Sequence, residues 1–397
     1  MKSNSKLFLR IALWGGLTLL ALFAIYIGFL SVRYSPGYMV NEIFRDLGTP
    51  YDYRILSERK LAPSPDPFLF RADNSRAMLV QETFQSNPTI QNLEAFLAET
   101  GTQAFLVIQN DTVIYERYFM DFQRDSIVTS FSVAKSFDSA LIGIAIEEGY
   151  IDSVDDPITE YLPELAQRDP RFQEISVRHL LTMASGLRYN DDRLFLPEDD
   201  NLTYIFDDLR HLALTETEVV EAPGVKFVYN NFNPLLLGLI LERATGRPVT
   251  TYLQEKLWTP LGMEFDGSWS LDSEHSGFEK MESGINARAI DFAKFGRLYL
   301  NGGKWEETQI VPADWVAASV QDNGLIQNAP IHYGYMWWRE NCNPDSQDFF
   351  AVGNYGQFIY VSPARDMIIV RNGESYGLEG EQVAWGDIFC QFAKEMP

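Results

Sequence analysis

Histidine and cysteine are scarce in this chain, four and two among 397 residues. His179, His211, His275 and His332 stand far apart, with no H-x-H or H-E-x-x-H pairing. Metal-ligand spacing is therefore lacking, and no metal or other cofactor is expected. Cys342 and Cys390 could form one disulfide in an oxidising compartment or stay as two thiols, and their spacing favours neither. Positive charge is short as well. With 32 Lys and Arg against 55 Asp and Glu the formal charge is −23. No basic stripe is visible that could neutralise phosphates, which argues against nucleic acid and against a polybasic membrane patch. No internal repeat is visible.

Apolar material is plentiful. At 46% of residues it suffices for a real core in one large domain or two. Residues 11–32, IALWGGLTLLALFAIYIGFLSV, carry no charge. At about 1.5 Å per residue such a helix crosses a hydrocarbon layer of about 30 Å. Lys2, Lys6 and Arg10 precede it and acidic residues accumulate beyond Arg33. The positive-inside rule then leaves residues 1–10 in the cytoplasm and the body of the chain outside. No clear A-x-A cleavage site follows, so a retained anchor is expected, with a cleaved signal peptide as the alternative. Residues 33–90, with Pro63, Pro65 and Pro67 close together, read as a linker or an N-terminal wrap, and one folded domain is expected over 91–395.

Within that domain TQAFLVIQNDTVIYERYF reads as a hairpin turned at Asn110-Asp111. The apolar run after Ser132 reads as a helix ending at Gly149, and the middle of the chain is mostly helical. Strands return in YGYMWWRE, DFFAVGN, GQFIYVSP and DMIIVRNG, before a last amphipathic helix at about 381–394. The order predicts an α+β fold. An antiparallel sheet is built from both chain ends and flanked by helices, with a mostly helical lobe beside it and a cleft between.

Two serines compete for a catalytic role. Ser375 lies in Gly373-Glu374-Ser375-Tyr376-Gly377, which fits G-x-S-x-G. That motif needs an acid and then a histidine downstream, and no histidine follows His332, so the segment reads as a tight turn. S-x-x-K occurs three times, at Ser3/Lys6, Ser57/Lys60 and Ser132/Lys135, and only the last leads into a long helix. Spacing of three puts Lys135 on the face of Ser132, within side-chain reach. Burial disfavours the ammonium, and a neutral amine can take a serine proton. Backbone N–H groups at the helix start can face a developing oxyanion. Farther on, Tyr229-Asn230-Asn231 follows a Pro-Gly turn, where a phenol can share the proton transfers and the Asn231 amide can hold the lysine or the substrate. Gly353 and Gly356 bracket a strand edge where backbone could approach a ligand, and the Gln357 N–H could be a second oxyanion donor.

Ser132-x-x-Lys135, Tyr229-x-Asn231 and a glycine-rich strand, in that order, resemble the serine β-lactamase and penicillin-binding-protein superfamily. RHLLTMASGL, PLGM, GSWSLD, ARAIDFAKFGRLYLNGGKW and YGYMWW are similar to its class C-like esterases and amide hydrolases, especially the aminohexanoate-oligomer (nylon-oligomer) hydrolase-like members. The resemblance runs from about residue 95 to 390. It implies the two-lobed β-lactamase/transpeptidase fold and an acyl-enzyme on Ser132. Lys135 and Tyr229 would move protons, and the N–H groups of Ser132 and Gln357 would hold the oxyanion.

One departure bears on substrate. Where β-lactamases and transpeptidases carry Lys-Thr-Gly, this chain has Asn354-Tyr355-Gly356. A charge-assisted contact to a β-lactam carboxylate, worth about 1.5–3 kcal/mol if buried, is thereby missing, and Tyr355 narrows the edge. The segment 188–221 adds Asp191, Asp192, Glu198, Asp199, Asp200, Asp207 and Asp208, which would repel anions if it bordered the cleft. The expected activity is hydrolysis of a small ester or amide. A D-amino-acid peptidase or weak β-lactamase is the alternative within catalysis, and a non-catalytic peptide-binding scaffold is the alternative outside it.

Overall fold

The structure is a computed structural model that describes residues 2–45, 47–190, 197–326, 331–340, 347–378 and 383–397. Its centre is the predicted hairpin, β3 (Thr102–Gln109) and β4 (Thr112–Tyr118). Asn110 and Asp111 both take positive φ, 51° and 53°, the left-handed pair that a tight two-residue turn requires. All eight residues of β3 are buried, because its side chains alternate between two cores. Phe105 and Val107 feed one cluster; Ala104, Leu106 and Ile108 feed the other.

Around the hairpin lies an eight-stranded sheet in the order β10–β11–β12–β13–β14–β3–β4–β2. Its remaining members are β2 (Arg71–Ala72), β10 (Ile331–Tyr333), β11 (Trp338–Glu340), β12 (Phe349–Gly353), β13 (Gln357–Ser362) and β14 (Met367–Gly373). The antiparallel register Ile369↔Val107 joins the late strands to the early ones, so both ends of the domain close one sheet as the sequence predicts. The predicted strand YGYMWWRE is instead broken by a turn: Tyr333 ends β10 and pairs with Trp338, which opens β11.

A second sheet, β1–β6–β7–β5, has no counterpart in the sequence reading. Its strands β1 (Glu58–Leu61), β5 (Val128–Thr129), β6 (Gly267–Ser270) and β7 (Ile285–Ala287) are two to four residues long. Runs that short carry no usable period-2 signal. A small hairpin, β8 (Lys304–Trp305) with β9 (Thr308–Gln309), stands apart.

The helices in chain order are α1 (Lys2–Arg33), α2 (Pro36–Phe44), α3 (Ala77–Phe84), α4 (Leu93–Glu99) and α5 (Ala134–Glu147). There follow α6 (Pro163–Arg168), α7 (Val177–Leu181), α8 (Asp199–Ile205), α9 (Leu209–Thr215), α10 (Phe232–Thr245) and α11 (Val249–Leu253). The last three are α12 (Ala289–Leu300), α13 (Ala313–Ser319) and α14 (Trp385–Glu395). α3, α4 and α14 cover one face of the large sheet through Phe84, Phe96 and Phe389. α12 and α5 cover the other, with Phe137 stacked on Phe295 at 3.7 Å. α6 to α11 form the helical lobe.

The segment 34–90 is packed rather than loose. β1 pairs with β6, β2 lies parallel to β4, and Tyr38 is buried against Phe206. The acidic segment 188–221 also differs from a free loop, because several of its carboxylates are engaged. Asp199 is buried in an ion pair with Arg188 at 3.1 Å, Asp207 accepts from Ser35, and Asp208 caps α9. Asp191 and Asp192 lie outside the described residues, as does Cys342, while Cys390 is buried and is not a free thiol.

Candidate active site

From Val128 to Ala145 every residue is buried except Ser132. The serine owes that position to two strands and a strained turn. β5 pairs with β7 just before it, and Ser130 locks to Ile285 twice, by its N–H at 2.8 Å and its Oγ at 3.0 Å. Phe131 then adopts φ 43°, a left-handed conformation that a bulky residue enters only when its surroundings enforce it. Ser132 follows in a 3-10 turn that runs into α5.

Lys135, one turn on, is 1% exposed. Its Nζ donates to Ser132 Oγ at 2.8 Å and to the carbonyl of Glu282 at 2.8 Å, and it sits 5.1 Å from the centroid of the Tyr229 ring. The Glu282 carbonyl is in reach because β7 begins three residues later and is held against β5. Tyr229 is half-buried, its ring stacked on Trp338 at 5.6 Å. Three sequence-predicted residues, Ser132, Lys135 and Tyr229, are thus brought together from α5 and from the loop before α10.

The other four predicted residues are placed differently. Asn231 does not hold Lys135. Its Nδ2 turns to α8, donating to Asp200 Oδ1 at 3.0 Å and Thr203 Oγ1 at 3.2 Å. Tyr355, in the left-handed region at φ 61°, packs its ring on Phe131 and Tyr376 and donates its hydroxyl to the Gly48 carbonyl. The room that Gly356 leaves is filled by protein rather than by a ligand: a Cβ there would lie 2.1 Å from Arg371 Nη1. The Gln357 side chain is buried, bonded to the carbonyls of Asn354 and Gly373. Ser375, the rival serine, is occupied locally, its Oγ donating to the Gly377 carbonyl at 2.9 Å.

Two buried charged neighbours of the site escaped the sequence reading. Arg371 is fully buried and faces no carboxylate. It donates to the Tyr355 and Gly356 carbonyls, to Thr100 O and to Thr102 Oγ1, and lies 4.0 Å over the Trp385 ring. Burial pulls its pKa down to about 9, so it stays cationic at neutral pH. Its bonds pin the turn that enters β13. Arg371→Met is expected to cost about 3 kcal/mol or more, because it strands several buried carbonyls at once. Chemical denaturation of the variant checks this.

The second is Asp138, one turn beyond Lys135 on α5. It is fully buried, and neither carboxyl oxygen has a hydrogen-bond partner among the described residues. Burial pushes its pKa well up, opposed by Lys135 and reinforced by Glu282 and Glu279. A carboxyl whose folded pKa exceeds its unfolded value of about 3.9 contributes stability below that value. The contribution declines by about 1.4 kcal/mol per pH unit as pH rises towards the folded pKa. Asp138→Asn should therefore gain stability relative to the parent between pH 4.5 and pH 8. Urea midpoints at the two pH values measure the gain.

Comparison with known proteins identifies the family and the fold. The 6-aminohexanoate-dimer hydrolase of Paenarthrobacter ureafaciens is 29% identical over 309 residues, 71% of this chain and 75% of that protein. A solved structure from Bacillus anthracis, assigned as a 6-aminohexanoate-dimer hydrolase, has a TM-score of 0.72 at 24% identity over 87% of this chain and 95% of its own. A class C β-lactamase variant shares the fold at TM-score 0.58 and 16% identity, over 82% of this chain and 99% of its own. The Beta-lactamase family model matches residues 90–379, most of the chain, and the protein belongs to that family.

Proposed function

We propose that Ser132 is the nucleophile of a serine hydrolase acting on carboxylic esters or unstrained amides, with Lys135 as its base. One observation carries the reading. Ser132 is the single accessible residue in an otherwise buried stretch, and the buried Lys135 Nζ stands 2.8 Å from its Oγ. Ser132 Oγ attacks the substrate carbonyl while its proton passes to Lys135 Nζ. The tetrahedral oxyanion is held by backbone N–H groups of Ser132 and Gln357. As it collapses, the leaving alcohol or amine takes a proton from Lys135, with the Tyr229 phenol relaying. Water then attacks the acyl-Ser132 ester along the reverse proton path and frees the acid.

The hydrolysis of a 6-aminohexanoate dimer, named for the Paenarthrobacter relative, supports this class. Asn354-Tyr355-Gly356 supports it against a β-lactam, since the Asn354 amide is turned to the Tyr204 hydroxyl at 3.3 Å and offers no cation. Stopped-flow hydrolysis of nitrophenyl butyrate, with intact-mass and peptide analysis of quenched enzyme, tests the proposal. A 70 Da butyryl adduct (by mass arithmetic, about 88 minus about 18) is expected on the Ser132 peptide. An adduct on Ser375 would overturn it.

The segment Arg10–Arg33 is long and apolar enough to cross a membrane, and only 6% of it is buried against the rest of the chain. We read it as a retained anchor that leaves the catalytic domain extracytoplasmic. From Ile11 to Tyr26 α1 is apolar and bare on every face, with Leu13, Trp14, Leu20 and Ile25 each more than 60% exposed. A protein partner would cover one side of such a helix, whereas lipid covers all of them.

A further inference from the structure

The anchor does not swing free of the domain. Arg33 pairs with Glu216, Ser35 Oγ donates to Asp207 Oδ1 at 2.5 Å, and Tyr34 and Tyr38 close on Phe206. α2 turns away from α1 at once, capped by Ser35 and started by Pro36. Its inner side is fixed by Asn41 Nδ2, which donates to the Ile205 carbonyl at 2.7 Å. Its outer side is apolar: Val40, Ile43 and Phe44, at i, i+3 and i+4, are 46%, 49% and 78% exposed. That stripe extends the lipid-covered surface of α1, and a short helix of this kind lies in the plane of a membrane interface.

Between the two helices runs a groove of about 560 Å³, within the range of ligand sites. Phe23, Ile27 and Leu30 of α1 and Met39 and Ile43 of α2 form its apolar length. Its polar lining includes Asn201 and two carboxylates, Glu42 and Glu198, of which Glu42 accepts from the Asn201 amide at 3.2 Å. Phe23, Ile27 and Leu30 belong to the anchor, so that wall of the groove lies at bilayer depth, while Glu198 and Asn201 belong to the helical lobe. α8 contributes to the lobe-side wall of the groove, and the same helix holds Asn231, two residues after Tyr229. Asn201 on α8 accepts from the Tyr38 hydroxyl at 3.1 Å, while Asp200 and Thr203 on the same helix take the Asn231 amide.

We infer that this groove holds an acyl chain of a bilayer lipid, and that the hydrolase draws its ester or amide substrate from acyl-bearing membrane amphiphiles. The inference rests on the hydrolase and anchor readings above. It explains why the anchor is bolted to the helical lobe by an ion pair, a hydrogen bond and an aromatic cluster instead of being joined by a flexible tether. A chain seated in the groove brings its polar end to α8, one helix away from Ser132. The two carboxylates at the rim disfavour phosphate without a counter-charge, so an ammonium-bearing headgroup fits that end best.

The test uses the full chain purified from membranes and placed in phosphatidylethanolamine–phosphatidylcholine vesicles. Nitrophenyl palmitate in the bilayer and nitrophenyl butyrate in solution are the probes. Ile27→Trp and Ile43→Trp fill the groove, and Met78→Trp on α3 is a control of equal bulk at an exposed site away from it. The groove variants are expected to lower the palmitate-to-butyrate ratio of kcat/KM at least ~10-fold, the control leaving it unchanged. Native mass spectrometry should show a retained phospholipid on the parent and the control that both groove variants lose. An unchanged ratio together with unchanged lipid retention overturns the inference. Failure of the parent on butyrate would instead sink the hydrolase reading, while lipid retention still decides the groove. An intact mass lacking the N-terminal segment would overturn the anchor and the groove with it.

Discussion

Ser132→Ala is expected to lower kcat/KM on nitrophenyl butyrate at least ~1,000-fold with no loss of folding, and Lys135→Met to do nearly the same. The two side chains act as one unit across a 2.8 Å hydrogen bond. Without the hydroxyl there is no acyl acceptor. Without the amine the serine proton has no destination, since Ser132 Oγ has no second basic group bonded to it among the described residues. The double variant should therefore lose little more than either single one, the signature of groups that share one step. Ser375→Ala should leave turnover within about two-fold, because its hydroxyl is spent on its own turn, accepting from the Gly377 N–H as well as donating to the Gly377 carbonyl. A dead Ser375→Ala enzyme with an active Ser132→Ala enzyme would overturn the assignment of the site. Lys135→Met carries a second readout. The variant removes a buried amine that also holds the Glu282 carbonyl, so some stability is lost along with activity. Ser132→Ala leaves that second bond in place.

Much of this was legible before any coordinates, and for identifiable reasons. The hairpin at Asn110-Asp111, the long helix after Ser132 and the late strands β12 to β14 are built of five or more strongly patterned residues or bear turn residues with one geometric use. Ser132 and Lys135 were readable because a helix converts a spacing of three into contact. Tyr229 was readable only as a candidate, since its approach to Lys135 depends on how two distant segments pack. What stayed hidden has a common physical cause. The second sheet is made of strands too short to show a period, yet it is what aligns Ser130 with Ile285 and delivers the Glu282 carbonyl to Lys135. Asn231 was expected to face lysine or substrate, but whether an amide turns to the cleft or to α8 is decided by Asp200 and Thr203, some thirty residues upstream. Arg371 reads in sequence as an ordinary charge at a strand end; nothing local announces that it will be buried under Trp385 with carbonyls as its partners. In the acidic segment 188–221 the count of carboxylates is visible while partners such as Arg188 for Asp199 and the Tyr189 hydroxyl for Asp200 are not.

Gly353→Ala should damage the nucleophile turn severely for the addition of a single methyl. The backbone at Gly353 is extended, φ −133° and ψ 165°, so any residue could adopt it and conformational freedom is not what the position demands. Space is. An added Cβ would lie 2.5 Å from the Ser130 carbonyl oxygen, 2.9 Å from Phe131 Cβ and 2.9 Å from the Ser132 nitrogen. Two of those three are backbone atoms of the nucleophile turn and cannot rotate aside. Either β12 or the turn must move by several tenths of an ångström. β12 is held through five register pairs with β13, whereas the turn already carries the left-handed Phe131. The turn is the softer party, and Ser132 moves with it. Displacing a nucleophile on that scale costs on the order of 100-fold in rate when the attacking geometry is set to near contact. The loss should fall on kcat, with KM little changed, because no group that merely binds substrate is removed. Overpacking adds about 1–3 kcal/mol of destabilisation, measurable by urea unfolding. If Gly353→Ala instead kept full kcat while losing stability, the methyl would have been absorbed by β12. The tight seating of Ser132 against that strand would then be a matter of packing, with no part in catalysis.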